Sequence, residues 1–330
     1  MKIRIVGGGW YGCHIALALT ESRHDVTLVE SAPKLFSGAS GVNPARLHQG
    51  WHYPRSGVTR AACREHNEAF MARYGCLTRM VPVNIYAIAR NDSLVDFPSY
   101  LKALEDEVPC IPISAPSEFG LQNVEGAVLT GERHILINRA RNFFTNLLGE
   151  CVQYEKQVEE VDSDEFDITV DCTFCAFDDQ AIDRFEPCVV GLLWGPADRA
   201  VTIMDGPFPS IYPWDEKQNL SSITSARLTP LSKTIRSYGQ ARDMLRSLPH
   251  HEATERAYQM LDDMAKYWPA ARDLYKVATA KTAIRAMPRS GADSRLVDVI
   301  RVGKRALRVR AGKIDAIFSA EAQVREMAGL

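Results

Sequence analysis

The feature that most constrains this chain is a run of glycines set between two apolar segments near its start. Ile3-Arg4-Ile5-Val6 reads as a buried strand, Gly7-Gly8-Gly9-Trp10-Tyr11-Gly12 follows at once, and Ile15-Ala16-Leu17-Ala18-Leu19 reads as a helix. A second strand, Val26-Thr27-Leu28-Val29, ends on Glu30. The order strand, G-x-G-x-x-G, helix, strand, acid has a mechanical meaning. Gly7 permits a tight turn, Gly9 lets the backbone approach a pyrophosphate, and Gly12 lets the helix lie against the strand. Free N–H groups at the helix N-terminus then face the phosphates. Glu30 stands where an acid holds a ribose hydroxyl, and its charge disfavours a 2′-phosphate. The motif predicts dinucleotide binding and by itself admits either a nicotinamide or a flavin dinucleotide.

Composition narrows the partners. The 330 residues are 46% hydrophobic, enough for two domains with substantial cores, and carry a formal charge of −2. A nucleic-acid binder would show a basic excess, so none is expected as a partner. Lys2 and Arg4 before apolar residues imitate a signal peptide, but the glycine run, His14 and the missing small-residue cleavage site argue against one. No stretch is long and apolar enough to span a bilayer. The eight cysteines are scattered, so reduced thiols and a cytoplasmic location are expected. Cys172-Thr173-Phe174-Cys175 has no second pair at zinc spacing and is read as packing. His250-His251 is read as solvated, and no metal site is expected.

Three separated segments read as one nucleotide domain. The first ends in a helix from Thr59 to Tyr74. The second holds two strands, Val158 to Val161 and Asp167 to Cys172, joined by Asp162-Ser163-Asp164-Glu165. The third runs from the strand Ala306-Leu307-Arg308-Val309 into a helix from Ser319 to Met327. Between them, Val81 to Ala89, Ala200 to Met204 and Ile211 to Trp214 read as strands, and Tyr238 to Leu248 and Glu252 to Tyr267 as helices.

The segment after Glu30 bears on the cofactor. Ser37-Gly38-Ala39-Ser40-Gly41-Val42-Asn43 offers small residues and short hydrogen-bonding side chains, which suit a chain passing along a diphosphate and ribityl arm. This segment, followed by Leu47-His48-Gln49-Gly50 and His52-Tyr53-Pro54, resembles the FAD-dependent D-amino-acid oxidase superfamily, the second glutathione-reductase-type group. It is nearest there to L-2-hydroxyglutarate oxidase-like and glycine oxidase-like proteins. The resemblance covers the first seventy or so residues well and the last fifty moderately.

The resemblance implies an α/β chain. Its Rossmann-type FAD-binding domain, a mostly parallel sheet with helices, would comprise 1–78, 150–190 and 275–330. An inserted α+β substrate domain with a mainly antiparallel sheet would comprise 79–149 and 191–274. It places Gly7, Gly9, Trp10, Tyr11 and Gly12 at the diphosphate and Glu30 at the adenosine ribose, with Ser40 and Gly41 further along the cofactor. Ala45, Arg46, Leu47 and His48 would reach the isoalloxazine. Val158 would present backbone groups to adenine, and Thr173 would lie beside the cofactor. Gly312, Lys313 and Ile314 would close over the flavin with a helix N-terminus at its pyrimidine edge, where reduced flavin carries negative charge. One departure stands out: Asp171-Cys172-Thr173-Phe174 lacks the glycine that relatives carry there.

The expected activity is removal of a hydride from a small amine, amino acid or 2-hydroxy acid to FAD. The substrate is expected to be anionic, and oxygen, a quinone or another protein would reoxidise the flavin. Arg285 and Arg289 are candidates to grip a substrate carboxylate, because a guanidinium fork matches its two oxygens. A surface ion pair is the alternative for Arg285. His48 and His52 are candidates for the group that takes the substrate proton. Tyr53 and Tyr212 are assigned to the substrate side. Two other readings stay open: an NAD-dependent dehydrogenase with a single Rossmann domain, which leaves Ser37 to Gly50 unexplained, and a non-catalytic FAD-binding protein.

Overall fold

The computed structural model describes residues 1–177, 181–289, 297–310 and 312–330. Lys2–Val6 carries fully buried Ile3 and Ile5 and sits in the interior of a six-stranded sheet. The order is Asp298–Arg301, Ala306–Arg310, Ile168–Asp171, Lys2–Val6, Asp25–Val29, Val152–Gln153. Every pairing is parallel except that of the first two strands. The helix Trp10–Glu21 is buried from Cys13 through Leu19 because it lies between this sheet and the helices Ile137–Leu148 and Ile317–Ala328. Such all-round burial explains why its apolar residues show little sidedness. The helix Gly57–Tyr74 begins at Ser56, whose hydroxyl accepts the Thr59 N–H and satisfies a first-turn donor.

An eight-stranded, mainly antiparallel sheet forms the second layer system. Its order is Lys276–Pro288, Ile182–Trp194, Leu220–Ser225, Pro209–Asp215, Arg199–Met204, Val83–Ala89, Val124–Thr130, Cys110–Ile113. Only Arg199–Met204 and Val83–Ala89 pair in parallel. The helix His250–Ala265 covers one face through Met260, Leu261 and Met264. A small sheet of Arg46–Leu47, Arg133–Ile135 and Thr78–Met80 carries residues from both systems. No helix among the described residues is long and apolar enough to cross a membrane.

Two expectations need correction. Val158 to Val161 is not a strand: the Arg4 guanidinium donates to the carbonyls of Glu160 and Val161 at 3.1 and 2.8 Å, so a side chain takes the acceptors a ladder would have used. Sheet membership also divides the chain differently from boundaries at 190 and 275. Ile182–Trp194 pairs with Lys276–Pro288 along most of its length, and both strands belong to the antiparallel sheet. The cause is the apolar run Cys188-Val189-Val190-Gly191-Leu192-Leu193, which demands cover on both faces and extends one strand across the expected boundary.

Candidate active site

The glycine turn brings backbone atoms close together. Gly7 takes φ +103°, a conformation that L side chains rarely adopt. A Cβ on Gly12 would fall 1.9 Å from the Gly7 carbonyl oxygen, so the helix approaches the strand only because none is there. Gly9 is the N-cap of Trp10–Glu21 and brings no capping side chain, which leaves the helix start open to a ligand. The Ser40 hydroxyl sits over this opening and accepts the Trp10 N–H at 3.1 Å. Glu30 follows the second strand as expected, and its carboxylate accepts the Gly8 N–H at 2.7 Å and the Ala32 N–H at 2.8 Å.

Trp10 contributes only backbone here. Its indole is 1% exposed and packs on Phe36, Phe70, Tyr74 and Phe144, so the side chain belongs to the core. Tyr11 donates its hydroxyl to the carbonyl of Lys313, tying the glycine turn to the C-terminal segment. Burial, with Asp315 nearby, pushes the Tyr11 phenol well above its ordinary value. Thr173 closes a side-chain turn on Asp171, with its N–H at 2.9 Å and hydroxyl at 2.6 Å from Oδ1. That turn stands where the glycine was expected.

Distant segments meet beyond the glycine turn. The His48 ring lies 5.5 Å from that of His52 and 5.5 Å from that of Tyr53. The Lys313 ammonium stands 3.9 Å from the centre of the Tyr53 ring, a cation–π contact, and 2.8 Å from the Cys63 sulfur. Burial and Asp315 push the Cys63 thiol to about 11 against the pull of Lys313. Asp315 is 2% exposed, and burial raises its carboxyl although Lys313, His48 and His66 act the other way. Ile314 opens the helical run that Ile317–Ala328 continues, while Gly312 is exposed.

Behind the histidines lies a buried polar network. Glu132, 0% exposed in the connection after Val124–Thr130, lies with one carboxylate oxygen 2.8 Å from His48 Nδ1 and accepts from the Tyr86 hydroxyl at 2.7 Å. Arg46 points into the same region and donates to Tyr86 at 3.4 Å, to Thr202 at 3.0 Å and to Ser210, with its guanidinium 4.5 Å from the Tyr212 ring centre. Asn84 Nδ2 donates to the Tyr212 hydroxyl at 3.3 Å. Burial pushes the Glu132 carboxyl up, but His48, Arg46 and Tyr86 together outweigh it and hold it below the usual range.

Of the expected residues, Arg46, His48, His52, Tyr53, Tyr212 and Lys313 gather here, while Leu47 belongs to the apolar core that also holds Phe70 and Tyr74. Arg285 does not reach this cluster: it lies opposite Glu186 in the antiparallel ladder and donates to Glu186 Oε2 with two nitrogens. Arg289 is exposed beyond the end of the same strand, and Val158 sits in an irregular segment. Glu132, Asn84, Tyr86 and Asp315 escaped the sequence reading. The signal for two of them was Asn84 and Tyr86 alternating with apolar residues, which puts two polar side chains on one buried face. Among the described residues no group of three or more His, Cys, Asp or Glu could hold a metal ion.

Comparison with known proteins bears on this geometry. A family described as FAD dependent oxidoreductase matches residues 2–141. The chain is 33% identical over 336 residues to the FAD-dependent monooxygenase FPY4 of Fusarium mangiferae, covering 98% of this chain and 90% of the relative. It is 27% identical over 327 residues to the FAD-dependent monooxygenase kojA of Aspergillus flavus, covering 87% and 76%. Glycine oxidase from Geobacillus kaustophilus superposes with a TM-score of 0.71 at 14% identity over 99% of this chain and 94% of that one. L-Amino acid deaminase from Proteus myxofaciens does so at 0.70 and 11%, over 99% and 89%. At such identities the likeness is one of fold.

Proposed function

The chain belongs to the FAD-dependent oxidoreductase family of D-amino-acid oxidase type, and from that premise we propose that it dehydrogenates a small substrate bearing an amine or hydroxyl, with the site around His48 taking the proton. FAD fits the residues present. The open helix start at Gly9, the close approach at Gly12 and the acid after the second strand suit its ADP half. Lys313 and the N-terminus of the helical run after it would face the negative charge of the reduced ring. Bound FAD supplies the two-electron acceptor.

The observation that carries the reading is the meeting of His48, His52 and Tyr53, on one short segment, with Lys313 from a segment remote in sequence. His48 is tied through Nδ1, which leaves Nε2 to accept a proton from the substrate hydroxyl or ammonium as the hydride departs. His52 and Tyr53 pack on that imidazole and hold its plane. Buried Arg46 adds positive potential on the side of the antiparallel sheet.

Anaerobic stopped-flow reduction of His48→Gln and His52→Gln tests the assignment. Replacement of the base is expected to slow flavin reduction by about a hundredfold, the low end of a general base's contribution, with FAD retained. Parent rates and parent pH profiles in both variants would make the histidines structural. A second reading, insertion of oxygen into the substrate, is favoured by the names of the relatives at 33% and 27% identity. Isotopic oxygen appearing in the product from O₂ would select it.

A further inference from the structure

We propose that Glu132 is a positioning residue that locks His48 in the tautomer with its proton on Nδ1, presenting Nε2 as the proton acceptor. The inference rests on the reading of His48 as the base and deepens it.

Hydrogen-bond direction carries the argument. The guanidinium of Arg46 can only donate, so the contact from its terminal nitrogen at 3.4 Å makes the Tyr86 oxygen an acceptor. The single phenolic proton of Tyr86 is then free to point at Glu132 Oε2, 2.7 Å away. One carboxylate oxygen is thus an acceptor of a directed donor. The other lies 2.8 Å from His48 Nδ1, and an ionised carboxylate offers no proton to give back. Nδ1 must therefore carry the hydrogen. In neutral His48 this leaves the lone pair on Nε2.

Burial makes the arrangement selective. The Glu132 side chain is 0% exposed and that of His48 is 18% exposed, so the pair has its anion inside and its imidazole at the edge of solvent. A carboxylate in that position needs its donors, because water cannot replace them. The groups facing the imidazole from neighbouring elements are His52, Tyr53 and Asp315. Facing Nδ1 itself is the Glu132 carboxylate oxygen, which can only accept. An acid behind an imidazole is the general device by which ring tautomer and orientation are fixed for proton transfer. Here it stands in the short connection between Val124–Thr130 and Arg133–Ile135.

A substrate C–H bond breaks with its electron pair passing as hydride to oxidised FAD, and the proton of the attached hydroxyl or ammonium passes to His48 Nε2. The substrate becomes a carbonyl from the hydroxyl or an iminium from the ammonium, bound FAD would take up the two electrons, and Glu132 stays ionised throughout.

The test has two independent parts, both on FAD-loaded protein. With histidines labelled by ¹⁵N, the resonances lost in His48→Gln identify its ring. The parent is expected to show Nδ1 protonated and Nε2 free in the neutral ring, and Glu132→Gln to lose that preference. Anaerobic reduction is then measured with glycine, L-proline and L-2-hydroxyglutarate as probes. With the compound that bleaches the flavin, Glu132→Gln is expected to slow reduction by roughly ten- to a hundredfold, the range for removing an orienting partner. The double variant should be no slower than His48→Gln. A parent ring protonated at Nε2 overturns the positioning role, and it does so even if Glu132→Gln fails to fold. A slow His48→Gln combined with additive loss in the double variant overturns it as well. An Nδ1 tautomer with His48→Gln reducing at the parent rate instead removes the base reading on which the proposal stands.

Discussion

Arg308 donates its Nε to the Asp171 carboxylate at 2.7 Å, forming an ion pair across the parallel pairing of Ile168–Asp171 with Ala306–Arg310. Both side chains are buried, and the second carboxylate oxygen holds the Thr173 turn. One acid thus joins the C-terminal segment to the turn that replaced the expected glycine. Arg308→Leu would leave the acid buried without its guanidinium, a change that costs about 3–5 kcal/mol. Urea unfolding measures it. A loss below about 1 kcal/mol, the level of an exposed pair, would contradict the role given to Arg308.

Gly9→Val should empty the cofactor site while the chain still folds. A Cβ there would fall 2.7 Å from the Ser40 hydroxyl oxygen, the movable end of a side chain, and no backbone atom lies as near. The branched side chain would project where the diphosphate must approach. Protein purified with parent-like circular dichroism but without flavin absorbance is the expected outcome. Full flavin occupancy would refute the placement.

His134 predicts a specific acid sensitivity. It is 1% exposed, neither ring nitrogen has a hydrogen-bond partner, and burial, with Arg79 adding to it, holds the imidazole down at about 3. The unfolded chain would take up a proton near the reference value of 6.5 while the folded protein resists until about 3. Its folded value is the depressed one, so stability is present above 6.5 and is lost as pH falls towards 3. His134→Leu removes that dependence and gives up no hydrogen bond. Unfolding midpoints of the two proteins should separate as pH falls through this window, with the variant the more resistant; parallel curves would contradict it.

Arg285 is expected to act on stability and not on substrate affinity. Glu186, 1% exposed, receives Arg184 Nε at 2.8 Å and Arg285 Nε at 2.9 Å, so the fork of Arg285 is already directed at a buried acid. Arg285→Lys removes one charged hydrogen bond and should cost about 1.5–3 kcal/mol with KM unchanged. A raised KM at parent stability would restore the carboxylate-gripping role expected from sequence.

The contrast between Arg285 and Gly12 marks what was legible in the sequence. Gly12 is read from neighbours within one turn and one helix, because steric closeness there follows from local order. Arg285 meets its partner 99 residues away, through the register of two long strands that no local pattern encodes. The same holds for Glu132, 84 residues from His48. Val158 to Val161 was misread because strand propensity does not foresee that Arg4 takes its carbonyls. His48, His52 and Tyr53 were legible because they share one short segment that Gly50, at φ +122°, bends back on itself.

The most direct test of the account is the anaerobic visible spectrum of the FAD-loaded protein mixed with a primary amine, an amino acid, a 2-hydroxy acid and a neutral alcohol in turn. At least one class is expected to bleach the flavin band without added NADH or NADPH, and His48→Gln to slow this about a hundredfold while retaining FAD. Bleaching only by NADH or NADPH, or a His48→Gln variant that reduces at the parent rate with the parent pH profile, would contradict it.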